Sequence, residues 1–300
     1  MSWSEDRLHR WLARAARPRV LVGAQGHDAA VMQALAPRSV ACVDACAEGV
    51  HFESTLAPRL VGRKAAARAL SDLAASAAHP RALLLAVSAP RSCDEAWLQA
   101  AIRGVQRMGL EHGAPLVGGD LCARPGPREL VVTALGLQRA SRTPPARERA
   151  RAGDVLFVTG ALGGSLLGRH ARFEPRIEQG LWLAAHGAHA LMDVSDGLAW
   201  DLHRMARAAG VRFEIELARV PVHADARRRA HASGQDALWH ALHDGEDHEL
   251  IAAVPAQRAR FTRFSAIGRV RKGHGLWLVD ARGKARRWKP SEGGWKHGAD

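Results

Sequence analysis

Short runs dense in apolar residues alternate along this chain with longer stretches in which apolar positions recur every three or four residues. The runs at 38–43, 82–87, 129–137, 155–159, 212–217 and 250–254 are strand-sized. Helical spacing fills 62–78, 94–112, 163–170, 177–186, 197–209 and 223–233. At the start, MSWSEDRLHRWLARAARPR sets Trp3, Leu8, Trp11 and Leu12 on or near one face of a further helix. Glu5 and Asp6 inside that segment, with no apolar core or small-residue cleavage site after it, argue against a transit or signal peptide. Strands and helices do not alternate one for one, as a doubly wound parallel sheet requires, so an α+β fold with mixed sheets is expected.

The sharpest break in the pattern is QRASRTPPARERARA at 138–152, where Pro144-Pro145 and clustered arginines follow one strand and precede another. It predicts an N-terminal domain over 1–140 and a C-terminal domain over 141–300. From Arg269 onward the sequence reads as short strands and turns rich in basic residues. The longest apolar run, 82–89, falls far short of the roughly 20 residues that cross a bilayer. No membrane partner is expected. Cys42, Cys46, Cys93 and Cys122 are too few and scattered for a disulfide framework and include no CxxC, which predicts a reducing, cytoplasmic setting.

Composition changes this picture in one respect. The 300 residues are 47% apolar, enough for a buried core, yet 43 Lys and Arg against 30 Asp and Glu leave a formal charge of +13. Such a balance can mark a nucleic-acid partner, for which the 269–289 stretch with Trp277 and Trp288 would be the surface. Arginine far outnumbers lysine, however, and Asn and Tyr are absent. Lys, Asn and Tyr are the residues with AT-rich codons, so base composition accounts for the excess at replaceable surface positions. No nucleic-acid partner is expected, and the two tryptophans read as packing residues.

The feature that carries chemistry is a series of carboxylates beside glycine or after apolar runs. They are Asp28 in GHDAAV, Asp44 in VDACAEGVHF, Asp72 in ALSDLAA, Asp120 in LVGGDLC, Asp193 and Asp196 in MDVSDGL, and Glu246 with Asp247 in DGEDHEL. A carboxylate after an apolar run, as in LVGGD and ALMDVSD, stands where a strand leaves its sheet, the place where α/β proteins put binding groups. Each alone reads as a turn or a cap, and Asp196 before GLAWDL fits a helix cap. Two readings of the set therefore stand together: scattered caps and surface acids, or a converging cluster whose repulsion calls for hard divalent cations. The second points to Mg²⁺ and phosphate chemistry, because Mg²⁺ works by bridging a few carboxylates to substrate phosphates.

Several other chemistries are excluded or weakened. The loop GALGGS at 160–165 has Walker-like glycines but lacks the Lys-Ser/Thr that completes a P-loop. Gly118-Gly119-Asp120 reads either as a glycine-rich approach to a phosphate beside a metal-holding Asp or as a tight turn after a strand. Protein-kinase signatures and a Gly-x-Ser-x-Gly elbow are absent, and HDGEDHE at 243–249 matches neither HExxH nor HxxEH. Cys42 and Cys46 share a face and read as small core residues.

Taken in order, GHDAAV, VDACAEGVHF, GRKAAARALSDLAASAAHPRALLLAVSAP, LVGGD, RERARAGDVLFVTGALGGSLLG, MDVSDGLAWDL and GEDHEL closely resemble the thiamine-monophosphate kinases. That family sits in the superfamily of aminoimidazole ribonucleotide synthetase, selenophosphate synthetase and the hydrogenase-maturation dehydratase. The resemblance runs from about Gly26 to Val254, with a fainter match at GGWKH. It implies a two-domain α+β fold, a homodimer whose N-terminal domains pair into a barrel, and ATP-dependent phosphorylation of thiamine monophosphate with several Mg²⁺ ions. Position by position, it implies metal ligation by Asp28, Asp44, Asp72, Asp120, Asp193 and Asp196. It further implies nucleotide contacts at Gly119, Asp120, Arg147 and Ser195, and thiamine-phosphate contacts at His51, Glu246 and Trp295. Phosphoryl transfer to an anionic phosphate needs no general base, so the aspartates are expected to hold metal, with His51 and Arg147 positioning phosphates.

The chain departs from the family pattern around the expected metal site. Gly26-His27-Asp28 stands for the usual Gly-Asp-Asp, and Cys42-Val43 for a Ser/Thr pair. Leu121 follows GGD in place of Thr, and His248 replaces the tyrosine of GEDYEL. The alternatives that remain are a related ATP-dependent synthetase or kinase for another small substrate, and a nucleotide-binding paralogue with weakened catalysis.

Overall fold

A computed structural model describes residues 30–32, 38–138, 143–260 and 263–295. The helix expected at the N-terminus, and Asp28 and His27 after it, lie outside the described residues. Ala30–Met32 (β1), Arg38–Ala47 (β2), His79–Ala89 (β3), Leu116–Ala123 (β4) and Glu129–Gln138 (β5) make one sheet in the order β1-β2-β5-β3-β4. Its pairings are antiparallel except β3 with β4, which run parallel. Helices Pro58–Ala75 (α1) and Glu95–Glu111 (α2) cover one face. Asp94 caps α2 by accepting from the amide of Ala96 at 2.9 Å.

The second sheet has seven strands among the described residues. They are Asp154–Val158 (β6), Ala190–Asp193 (β7), Arg212–Glu216 (β8), Leu250–Pro255 (β9), Ser265–Arg271 (β10), Gly275–Val279 (β11) and Ala285–Arg287 (β12). Their order is β12-β11-β8-β10-β6-β9-β7, parallel only at β8–β11. Helices Ile177–Ala185 (α3), Leu198–Ala209 (α4), Ala224–Ser233 (α5), Ala237–His243 (α6) and the single turn Ala256–Ala259 (α7) accompany it. Both faces of its centre are buried, which is why its strands read as unbroken apolar runs. Along β9, Leu250, Ala252 and Val254 face the core shared with the first sheet, while Ile251 and Ala253 face a second core around α4 and Trp288.

Helix α1 lies between the two sheets and is buried nearly all round. Its alanines and Gly62 permit close approach on several sides. A Cβ at Gly62 would stand 1.8 Å from the carbonyl oxygen of Ala101 on α2. The polar residues Lys64, Arg68, Ser71 and Asp72 recur at helical spacing along this otherwise apolar rod.

All six expected strands form, together with β1, β4, β7 and most of β10, which the apolar pattern did not single out. The helix expected over 163–170 does not form. Two separate 3-10 turns, Ser165–Leu167 and Arg169–Ala171, take its place. Gly163, Gly164 and Gly168 adopt φ of 91°, 72° and 121°, outside helical geometry. The amides of Gly163 and Gly164 donate instead to Asp247 and Asp244, at 3.0 and 2.8 Å. Gly118-Gly119-Asp120 is neither an open loop nor a turn, because it lies inside β4, where a Cβ on Gly119 would stand 1.9 Å from the carbonyl oxygen of Leu85.

Candidate active site between the two sheets

The stripe on α1 meets the ends of β2 and β7 and the loops that follow β7 and α6. Asp44, on the face of β2 turned to α1, is held by the guanidinium of Arg68, with Nε donating to Oδ2 at 2.9 Å and Nη2 to Oδ1 at 3.0 Å. Arg68 Nη1 also donates to Glu246 at 2.6 Å, and Lys64 Nζ lies 2.8 Å from the same carboxylate. Burial pushes the Glu246 carboxyl up, but Arg68, His248 and Lys64 outweigh it and hold Glu246 well below the usual carboxylate range. The Glu246 backbone is itself in the left-handed region, at φ 55°, with its amide donating to the Ser195 carbonyl at 2.7 Å. The loop geometry that aims this side chain is therefore tied to the MDVSDGL segment.

Asp193 ends β7, where the sequence placed a carboxylate leaving its sheet. It accepts from the Ser71 hydroxyl at 2.7 Å and lies 3.1 Å from Nδ1 of His248. His248 is buried, stacks on Phe173 with ring centroids 4.0 Å apart, and spans Asp193 and Glu246. Asp72 faces the charges of Asp193 and Asp44. Burial, reinforced by those two carboxylates, holds its carboxyl well above the usual range. Three of the expected aspartates thus converge, and Asp72 bears the cost.

At the other end of the row, Asp196 pairs with Arg204. Arg147 reaches the same end from a 3-10 turn at Arg147–Arg149, where it feels the charges of Asp201, Asp193 and Asp196. Asp196 does not cap α4, contrary to the sequence expectation. The N-cap is Gly197, and Asp201, one turn into the helix, accepts from the amides of Ser195 and Asp196 at 3.1 and 3.0 Å. Sequence reasoning passed over Asp201, whose signal was an acid in the first turn of the helix that MDVSDGL opens. The amide of Trp295 donates to the Asp196 carbonyl at 2.9 Å and leaves its half-exposed indole beside the row.

His51 lies near Lys64 and Arg68. Its Nδ1 accepts from the Ala47 amide at 3.0 Å, which places the proton on Nε2. Burial, then Arg68, pushes its pKa down to about 4, so near neutrality this ring is an uncharged donor and not a cation. His170 accepts from Lys64 at 2.9 Å and is likewise pushed down to about 4 by burial and then by Lys64. Cys42 donates to the Ala69 carbonyl at 3.2 Å and burial pushes its thiol well up, as befits a packing residue. Val43 points to the opposite, exposed face of β2. Asp120 is exposed on the edge strand β4, and none of the ion pairs among the described site residues includes it.

These residues fit a divalent cation that arrives with a phosphate ligand. Among the described residues no three carboxylates, histidines or cysteines form a ready-made cage. The reason is visible in the pairings, since Asp44 is turned to Arg68, Asp193 to Ser71 and His248, and Asp196 to Arg204. Asp72, beside Asp44 and Asp193 and only partly offset by Arg68 and Cys42, is the oxygen-donor site that a hard cation would relieve.

The fold and this row of groups define the class. The AIR synthase related protein N-terminal domain matches residues 26–138, and the AIR synthase related protein C-terminal domain matches residues 151–279. Thiamine-monophosphate kinase of Rhodopirellula baltica is 37% identical over 300 residues, covering 94% of this chain and 92% of that protein. The thiamine-monophosphate kinase of Mycobacterium tuberculosis is 36% identical over 92% of this chain and 86% of its own length. A solved structure described as "AaThiL complexed with AMPPCP and TMP" superposes with a TM-score of 0.87 at 27% identity, covering 98% of this chain and 97% of its own. The chain belongs to the AIR synthase related family, in its thiamine-monophosphate kinase branch.

Proposed function

We propose that this chain transfers the γ-phosphoryl group of ATP to the phosphate of thiamine monophosphate, giving thiamine diphosphate and ADP. The observation that carries the reading is the convergence of Asp44, Asp72 and Asp193 between the sheets, with Arg147 at one end and His51 and Glu246 at the other. The similarity to kinases of this name along nearly the whole chain supports it. Asp28, Asp44, Asp72, Asp120, Asp193 and Asp196 are the proposed holders of Mg²⁺, which when bound neutralises and aligns the two polyanions. Arg147, Ser195, Gly119 and Asp120 address the nucleotide. His51 offers its Nε2–H to the acceptor, and Trp295 offers an aromatic face to the thiamine rings. The acceptor phosphate is already anionic near neutral pH, so no residue need take a proton from it. The chain's own part is to bind, orient and exclude water.

The proposed division into domains 1–140 and 141–300 falls between the two sheets. A homodimer through the first sheet is also proposed. Its uncovered face carries the exposed Val43 and Leu84, joined laterally through Thr133. So apolar a sheet face is rarely left in water. No described helix is long and apolar enough to cross a membrane; a cytoplasmic setting is the proposed one.

Purified protein incubated with thiamine monophosphate, ATP and Mg²⁺ is expected to form thiamine diphosphate. No product at enzyme concentrations comparable to substrate would overturn the reading. Stabilisation by ATP–Mg²⁺ without stabilisation by thiamine monophosphate would point to a related enzyme acting on another substrate.

A further inference from the structure

Arg68 occupies both oxygens of a carboxylate that the site needs. Its Nε and Nη2 take Oδ2 and Oδ1 of Asp44 in a fork, and its Nη1 takes Oε1 of Glu246. The guanidinium is nearly buried, with only 10% of its side-chain surface exposed. Each Asp44 oxygen keeps a second lone pair, but a metal ion there would set its charge beside the guanidinium, so the two cations compete for one carboxylate. Glu246 is placed differently, because Lys64 contacts its other oxygen at 2.8 Å and keeps it paired whatever Arg68 does. The bonds of Arg68 are therefore unequal in consequence, and the fork on Asp44 is the one that a bound metal would compete with.

We propose that Arg68 is a displaceable counter-cation: it neutralises Asp44 while no divalent ion is bound and yields that carboxylate when one arrives, keeping its hold on Glu246. The inference rests on the kinase reading only in taking Asp44 as a metal ligand. Electrostatics favours the exchange, since Asp72 and Asp193 stand with Asp44 and a doubly charged ion attracts all three more strongly than a guanidinium that also serves Glu246. On release, Nε–H and Nη2–H become free to donate to another anion beside the metal-binding acids while Nη1 stays on Glu246. Arg68 then becomes a positioning residue whose fork is suited to a phosphate oxygen. Metal binding at Asp44 and readiness of the Glu246 end are joined through one side chain.

The test is a Mn²⁺ titration followed by electron paramagnetic resonance, without nucleotide, on wild type, Arg68→Met, Arg68→Met with Asp44→Asn, and Lys64→Met. Removing the competitor is expected to tighten Mn²⁺ binding on the order of tenfold in Arg68→Met, with the gain lost when Asp44 is also changed. Lys64→Met, which removes an equally buried charge that does not touch Asp44, is expected to change it much less. Equal or weaker binding in Arg68→Met, an equal gain in Lys64→Met, or no Mn²⁺ binding by either protein at millimolar metal overturns the proposal. Should the variants fold poorly, the wild type answers directly. The exchange-protected Nε–H signal of Arg68 in nitrogen-detected NMR is expected to shift or lose protection on adding Mg²⁺, and an unchanged signal at saturation overturns the proposal. Neither readout involves turnover, so absence of kinase activity and failure of the counter-cation are separate results.

Discussion

At the scale of single residues, the site is built from groups whose protonation is set by burial and by one or two neighbours. Asp72 is held well above the ordinary range by burial and by Asp193 and Asp44. Asp72→Asn removes a costly charge while keeping the shape, so the melting temperature is expected to hold or rise while turnover falls about 100-fold or more. Thermal melts and initial rates on the same preparation check both halves. His51 and His170, each pushed down to about 4, are neutral when folded, yet in the unfolded chain they take up a proton near the ordinary value of 6.5. The unfolded chain therefore binds more protons between about pH 6.5 and pH 4. The stability these rings contribute is full above that window and lost as pH falls through it. Melting temperatures measured from pH 8 to pH 5 are expected to fall more steeply for wild type than for His170→Gln.

At the scale of elements, α1 sets the distance between everything else. Its stripe of Lys64, Arg68, Ser71 and Asp72 was present in the sequence as polar positions at helical spacing, and the amphipathic reading assigns such positions to solvent. Lys64, Arg68 and Ser71 are buried and Asp72 partly so because α1 has protein on all sides, so the stripe faces a cleft and not bulk water. Gly62→Ala presses a methyl group against the Ala101 carbonyl 1.8 Å away and must force α1 and α2 apart. A loss of about 1–3 kcal/mol or more is expected, read from urea unfolding. The failure of helix 163–170 teaches the same lesson from the other side. Apolar spacing in SLLGRHA satisfied a helical pattern, but Gly163, Gly164 and Gly168 at positive φ and the acceptors Asp247 and Asp244 offered the backbone better partners than the next turn.

For the whole molecule, the +13 formal charge and the acidic row between the sheets are two separate facts. The acids are gathered where Arg68, Lys64, Arg147 and Arg204 already offset them, so the net charge alone says nothing of the site. The uncovered face of the first sheet makes a prediction at this scale. Leu84→Glu, in the Val43–Thr133–Leu84 row, is expected to convert a dimer into a monomer by light scattering, with the far-ultraviolet spectrum unchanged. A wild-type protein that is monomeric at micromolar concentration would show that this face is not the interface.

The sequence by itself determined six of the strands, five of the six helices expected within the described chain and the positions of the candidate aspartates, because periodicity and strand-end carboxylates are local properties. Asp193 at the end of β7 was legible in this way, and so were the buried cysteines of β2. Tertiary structure alone decided which groups answer those acids. Arg68 and Glu246 meet across 178 positions, and Ser71 reaches Asp193 across 122. No local pattern encodes such pairs, because the energy of an ion pair depends on distance and dielectric in the folded chain and not on separation along it. The same holds for Asp201, which looked like an ordinary first-turn acid until the fold aimed it at the amides of Ser195 and Asp196. It holds too for His51, whose residue type suggests a charge that burial and two neighbouring cations take away.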